Sequence, residues 1–123
     1  MTPFPFSILT PGGALMDGEA VFVGVRTAEG ALGVLAGHAP LIAACPPGVV
    51  RVQRADQGWT YFATSASLLS TDGKTVAVLA GRAAPADDED AAGRIAREWE
   101  RETAASELDD VDVPIRPLAE TPG

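Results

Sequence analysis

A mainly β fold is predicted here, an N-terminal β-sandwich followed by one C-terminal α-helix and an extended or disordered tail, and three observations predict it. Turn signals recur at roughly 8 to 12 residue intervals, as in sandwiches and barrels rather than βαβ units. The 13 Gly and 10 Pro punctuate short runs rich in Val, Ile and Phe, which favours many short strands over a helical bundle. Near Pro85 the period-two pattern gives way to a helical one.

Phe4, Phe6 and Ile8 alternate with Pro5 and Ser7, and Pro11-Gly12-Gly13 closes the run. This reads as a first strand at a sheet edge, because Pro5 has no N–H to give a ladder. The run Ala20-Val21-Phe22-Val23-Gly24-Val25 reads as the next strand, entering a loop at Thr27-Ala28-Glu29-Gly30. Val34-Leu35 and Leu41-Ile42-Ala43-Ala44 flank a turn at Gly37-His38-Ala39-Pro40, and Pro46-Pro47-Gly48 precedes Val49-Val50-Arg51-Val52-Gln53. Asp56-Gln57-Gly58 joins that strand to Trp59-Thr60-Tyr61-Phe62-Ala63 as a hairpin. Leu68-Leu69 and Thr75-Val76-Ala77-Val78-Leu79 pair through Thr71-Asp72-Gly73-Lys74. The sandwich is expected over residues 1–82.

An acidic helix is expected over 86–110. Asp87 or Asp88 caps it, and Glu89 and Asp90 lie in the first turn, where the helix dipole favours carboxylates. Ala92, Ile95, Ala96, Trp99 and Thr103 form one narrow stripe, enough to dock on a surface but not to build a bundle. Pro114, Pro117 and Pro122 exclude a second interior helix over 111–123.

Charge is segregated. Residues 1–86 carry five acids against five bases, which leaves zero; residues 87–123 carry twelve acids against four, which leaves the whole −8 there. A neutral body with an acidic end disfavours nucleic acid and anionic lipid as partners. No signal peptide or spanning helix is expected, since proline, glycine and charge interrupt the most apolar stretch. Cys45 is the single cysteine, so no internal disulfide forms.

Catalytic chemistry finds no constellation. His38 and Cys45 are the one pair to weigh as base and nucleophile, in a free-standing binding protein or enzyme. Cys45 lies in an apolar run against Pro46-Pro47, however, and reads as a structural thiol. One His and one Cys do not make a zinc site, and Asp87-Asp88-Glu89-Asp90 reads as a helix start rather than a cation site. Gly30, Gly33 and Gly37 lack the Lys-Ser or Lys-Thr of a phosphate loop. No catalytic residue, cofactor or metal is expected.

Glu29-Gly30-Ala31-Leu32-Gly33-Val34-Leu35-Ala36-Gly37-His38-Ala39-Pro40-Leu41, followed by Pro47-Gly48-Val49-Val50-Arg51-Val52, closely resembles the epsilon subunit of the rotary F-type ATP synthase. The same order of features covers residues 4–82. The resemblance implies an N-terminal sandwich and a non-catalytic central-stalk rotor subunit that couples c-ring rotation to the catalytic head through gamma. It implies a proton-driven enzyme, with a sodium-driven paralogue as the alternative, and a peripheral position on the cytoplasmic side of a bacterial membrane. By the same resemblance Thr27, Ala28, Glu29, Gly30, Ala31, Leu32 and Gly33 face the c-ring. Gly37, His38, Ala39, Pro40 and Leu41 form a second interface loop, and the helix can reach toward the head. Glycines 30, 33 and 37 suit positive φ or close approach, and Pro40 stiffens its turn.

Departures from the family pattern are specific. Ala31 replaces an acid in the glycine loop, Ala66-Ser67 replaces a Gly-Gly pair, and Gly81 replaces an acid after Ala80. Gly93 stands where the family's ATP-binding motif needs Arg, so no nucleotide site is expected. With one helix in place of the family's two, autoinhibition is expected to be weak.

Overall fold

The computed structural model describes residues 1–55 and 58–103. The centre of the Asp56-Gln57 turn, the expected helix beyond 103 and the tail at 111–123 lie outside the described residues. Ten strands form two five-stranded sheets. In the first, β1 (Phe4–Thr10), β2 (Gly13–Ala20), β5 (Leu41–Cys45), β8 (Ser67–Thr71) and β9 (Val76–Ala80) run in the order β2-β1-β9-β8-β5. In the second, β3 (Phe22–Thr27), β4 (Gly30–Val34), β6 (Gly48–Arg54), β7 (Gly58–Thr64) and β10 (Ala83–Ala86) run in the order β10-β7-β6-β3-β4. The β1–β9 pair is parallel and the others are antiparallel.

Alternation builds the core. Phe4, Phe6 and Ile8 of β1 point inward with Leu69, Val76 and Val78 of the same sheet, and meet Val23, Val25, Val34, Val50, Val52 and Phe62 of the other. Burying each such side chain contributes about 1.5–3 kcal/mol, so this single cluster explains why the two sheets stack.

The strands depart from the sequence reading in several places. β1 is an interior strand, not an edge. Its ladder with β9 begins at Phe6, one residue past Pro5, so the missing N–H interrupts no bond there. β2 was not expected, because Gly13, Asp17, Gly18 and Glu19 dilute its apolar signal. It nevertheless buries Met16 and Ala20, and a bulge opposite Ile8 and Leu9 keeps that phase. β10 carries strand structure through Pro85, past the expected change to helix; it is an edge strand on β7, where proline is tolerated.

Helix α1, described over 89–103, starts where Asp88 Oδ1 accepts the Ala91 N–H at 2.8 Å, the geometry of an N-cap. It lies on the outer face of the second sheet, where Ala92 and Ala96 are buried with Ala63, and Val49, Tyr61, Ala86, Ile95 and Trp99 pack around them. Among the described residues no helix is long and apolar enough to cross a membrane.

Candidate functional site

The segment Thr27 to Gly33 is a hairpin rather than an open loop. Thr27 pairs with Gly30, so only Ala28 and Glu29 form the tip, and Gly30, Ala31, Leu32 and Gly33 belong to β4. Thr27 Oγ1 accepts the Glu29 N–H at 3.1 Å and donates to the Gly30 carbonyl at 3.0 Å. Gly30 has φ +129°, where a side chain would be strained. Thr10 and Gly13 repeat the arrangement: Thr10 Oγ1 accepts from Gly12, donates to the Gly13 carbonyl, and Gly13 has φ +123°. Ala28 and Glu29 are exposed, so the one charge at the tip points to solvent.

Gly37 to Leu41 crosses between the sheets, from edge strand β4 to edge strand β5. His38 N–H donates to the Leu35 carbonyl at 3.2 Å, and Gly37 has φ +79°, which makes Leu35 to His38 a turn with left-handed backbone at its third residue. The His38 ring places Nδ1 2.8 Å from the Ala39 carbonyl. A carbonyl only accepts, so Nδ1 carries the proton. Ala39 and Pro40 are exposed, and Leu41 is half-buried at the start of β5. Residues Thr27 to Leu32 and Leu41 to Ala44 line an open cleft of about 560 Å³ between the two edges.

Gly33 serves a different purpose from Gly30 and Gly37. Its φ is not positive; instead, a methyl there would lie 2.8 Å from Phe22 Cε1. Close approach, not backbone freedom, explains this glycine.

The helix stripe divides. Ala92 and Ala96 are fully buried, Ile95 and Trp99 half-buried, and Thr103 exposed. Arg82 Nη1 donates to Glu102 Oε2 at 2.7 Å, and its guanidinium carbon sits 4.6 Å from the centroid of the Trp99 ring. At the other end Arg51 and Glu89 approach to 4.0 Å. Gly93 lies over β6, where a methyl would come 3.9 Å from Val49 and 3.3 Å from Arg97 Nη1.

Cys45 is buried, its Sγ 3.8 Å from the Ala43 carbonyl, and desolvation raises its thiol pKa. No hydrogen bond joins it to His38 among the described residues.

One surface had no residues assigned to it in the sequence reading. The outer face of the first sheet carries Leu9, Leu79, Leu68 and Ala44 side by side across β1, β9, β8 and β5. Leu79 and Leu68 are exposed, as are Ile42 at 72 % and Leu15. The signal was the pairs Leu68-Leu69 and Val78-Leu79: consecutive apolar residues in a strand make both of its faces apolar.

Residues 3–86 match the family described as ATP synthase, Delta/Epsilon chain, beta-sandwich domain. The chain is 37 % identical over 103 residues to the ATP synthase epsilon chain of Bordetella parapertussis, covering 83 % of this chain and 74 % of that protein. It is 34 % identical over 116 residues to that of Bordetella petrii, covering 94 % and 82 %. Its fold resembles a chain of the Euglena gracilis mitochondrial ATP synthase, in a structure of OSCP, F1 and c-ring. The TM-score is 0.62 at 20 % identity, over 96 % of this chain and 66 % of that one. A chain of the Tetrahymena thermophila central stalk and c-ring is similar, with TM-score 0.56 at 14 % identity over 80 % and 89 %. The chain belongs to the ATP synthase epsilon chain family.

Proposed function

We infer that this chain is a non-catalytic central-stalk subunit of an ion-driven, membrane-bound ATP synthase, and that it seats on gamma through the outer face of its first sheet. The observation that carries the reading is the apolar row Leu9, Leu79, Leu68 and Ala44 with Ile42 and Leu15 beside it. A strand face this apolar, with no helix over it among the described residues, belongs against a protein partner. The opposite face already has α1 on it, which leaves the first sheet for gamma.

The Ala28-Glu29 tip then meets the c-ring, and Gly37 to Leu41 forms the second contact. With a ring below and gamma alongside, the sandwich passes torque as a rigid body, on the cytoplasmic side of a bacterial membrane. Helix α1 rests on the sandwich rather than on the head, and the sequence beyond 103 carries Pro114, Pro117 and Pro122, so inhibition of ATP hydrolysis is weak.

The test is co-purification of tagged chain with gamma and the head subunits. Leu68→Asp with Leu79→Asp is expected to abolish recovery of gamma while leaving circular dichroism unchanged, because both side chains are exposed in the free chain. Undiminished recovery of gamma would refute the assignment of this face.

A further inference from the structure

The hairpin β3–β4 has a weakness in its middle. Gly24 and Gly33 pair directly opposite each other, so no side chains meet across the strands where cross-strand contacts normally hold a hairpin. β4 is also an edge strand, supported on one side only.

Phe22 fills that gap. A methyl at Gly24 would lie 3.0 Å from Phe22 Cε2, and one at Gly33 would lie 2.8 Å from Cε1 and 3.1 Å from Cζ, so the ring lies across both glycines. An aromatic ring laid over strand glycines restores the packing that the missing side chains forfeit. The ring is itself held: Trp59 of β7 meets it edge-on, with centroids 5.7 Å apart and planes at 71°. Arg51 of β6 brings its guanidinium to within 3.2 Å of the same point above Gly24. Phe22 therefore packs the hairpin against Trp59 of β7, two strands away in the sheet.

We propose that Phe22, braced by Trp59, is a positioning residue that fixes the pose in which the Ala28-Glu29 tip meets the c-ring; this rests on the reading of that tip as a ring contact. Without the ring the paired glycines let the hairpin twist, and the tip loses its direction while the rest of the sandwich stands.

The experiment uses the full chain assembled into its ATP synthase. Phe22→Ala, Phe22→Tyr and Glu29→Arg are compared for gamma association, ATP hydrolysis by the detached soluble complex, and ion-driven ATP synthesis. Phe22→Ala is expected to keep the first two and to lower synthesis about two- to fivefold, the scale of one lost cross-strand contact. Phe22→Tyr keeps the ring and restores synthesis, and Glu29→Arg lowers it at the tip itself. A role in stability alone would lower gamma association and synthesis together. Normal synthesis in Phe22→Ala with impaired Glu29→Arg overturns the positioning role alone. Normal synthesis in both overturns the ring contact as well, and an effect of Phe22→Ala with none of Glu29→Arg also overturns the proposal. If Phe22→Ala fails to fold, Gly33→Ala, which pushes the ring aside without removing it, is expected to reproduce the synthesis defect; normal synthesis there overturns the role.

Discussion

Single residues set the turns of this sandwich, and each does so by a mechanism that can be tested. Asp72 Oδ1 accepts the Lys74 and Thr75 N–H groups, both at 2.8 Å, closing the β8–β9 hairpin. Those backbone bonds, from Thr75 first and Lys74 second, lower the Asp72 pKa. A carboxyl whose folded pKa is depressed stabilises the fold above its unfolded value and loses that contribution as pH falls through the folded one. Asp72→Ala is therefore expected to lower the denaturation midpoint at neutral pH, and the difference from wild type to shrink below about pH 4. Gly30 makes the same point by backbone alone. Its φ of +129° with open space around it means that Gly30→Ala clashes with nothing and still costs roughly 1–3 kcal/mol. Thermal melting of that variant is the check. The Asp72 turn was legible in the sequence because Asp-Gly carries its own local chemistry, whereas Thr27 to Gly33 read as a loop because its glycines dilute the strand signal of β4. Gly33 was legible as a special glycine but not for its reason, since the ring it accepts comes from Phe22, eleven residues earlier.

At the level of elements, legibility followed how far each strand supplies its own signal. β1, β6, β7 and β9 alternate or run apolar and could be read directly. β10 has the sequence Ala-Ala-Pro-Ala, which favours no strand by itself; its register on β7 makes it one. Pro5 misled because proline marks an edge only where its nitrogen faces a ladder, and the β9 ladder starts one residue later. The helix was legible from its stripe and cap, while its latch was not. Arg82 and Glu102 are twenty residues apart, and only the fold brings them together with Trp99. Both side chains are more than half exposed, so screening holds the ion pair to about 0.2–1 kcal/mol; the cation–π contact adds about 0.5–1. In a Trp59→Phe background, Arg82→Ala is expected to shift Trp99 emission to the red and to weaken helix docking by about 1 kcal/mol. Asp88→Ala, which removes the N-cap, is expected to cost about 1 kcal/mol of helix stability, read as lost helical ellipticity.

Across the whole molecule, two outer faces have opposite fates. The second sheet carries α1 over Ala63, and the first carries an apolar row that nothing covers among the described residues. That asymmetry decides where a truncation should fall. Ending the chain at Arg82 would strip β10 and leave the β7 edge bare beside the missing helix, confusing loss of the helix with loss of the sandwich. Ending it at Ala86 keeps all ten strands and removes only α1 and the residues flanking it. The cut exposes the fully buried Ala63 and the half-buried Val49 and Tyr61, which lie outside the main inter-sheet core. The shortened chain is therefore expected to fold, with a lowered melting temperature, and to be recovered with gamma through the untouched first sheet. If α1 rests on the sandwich in the assembled enzyme, ATP hydrolysis by a complex holding the shortened chain should match that of the full chain within about twofold, a difference of roughly 0.4 kcal/mol in barrier. A tenfold or greater rise, which corresponds to about 1.4 kcal/mol, would mean that the helix leaves Ala63 in the complex and reaches the head, and would overturn weak inhibition while leaving the gamma face intact.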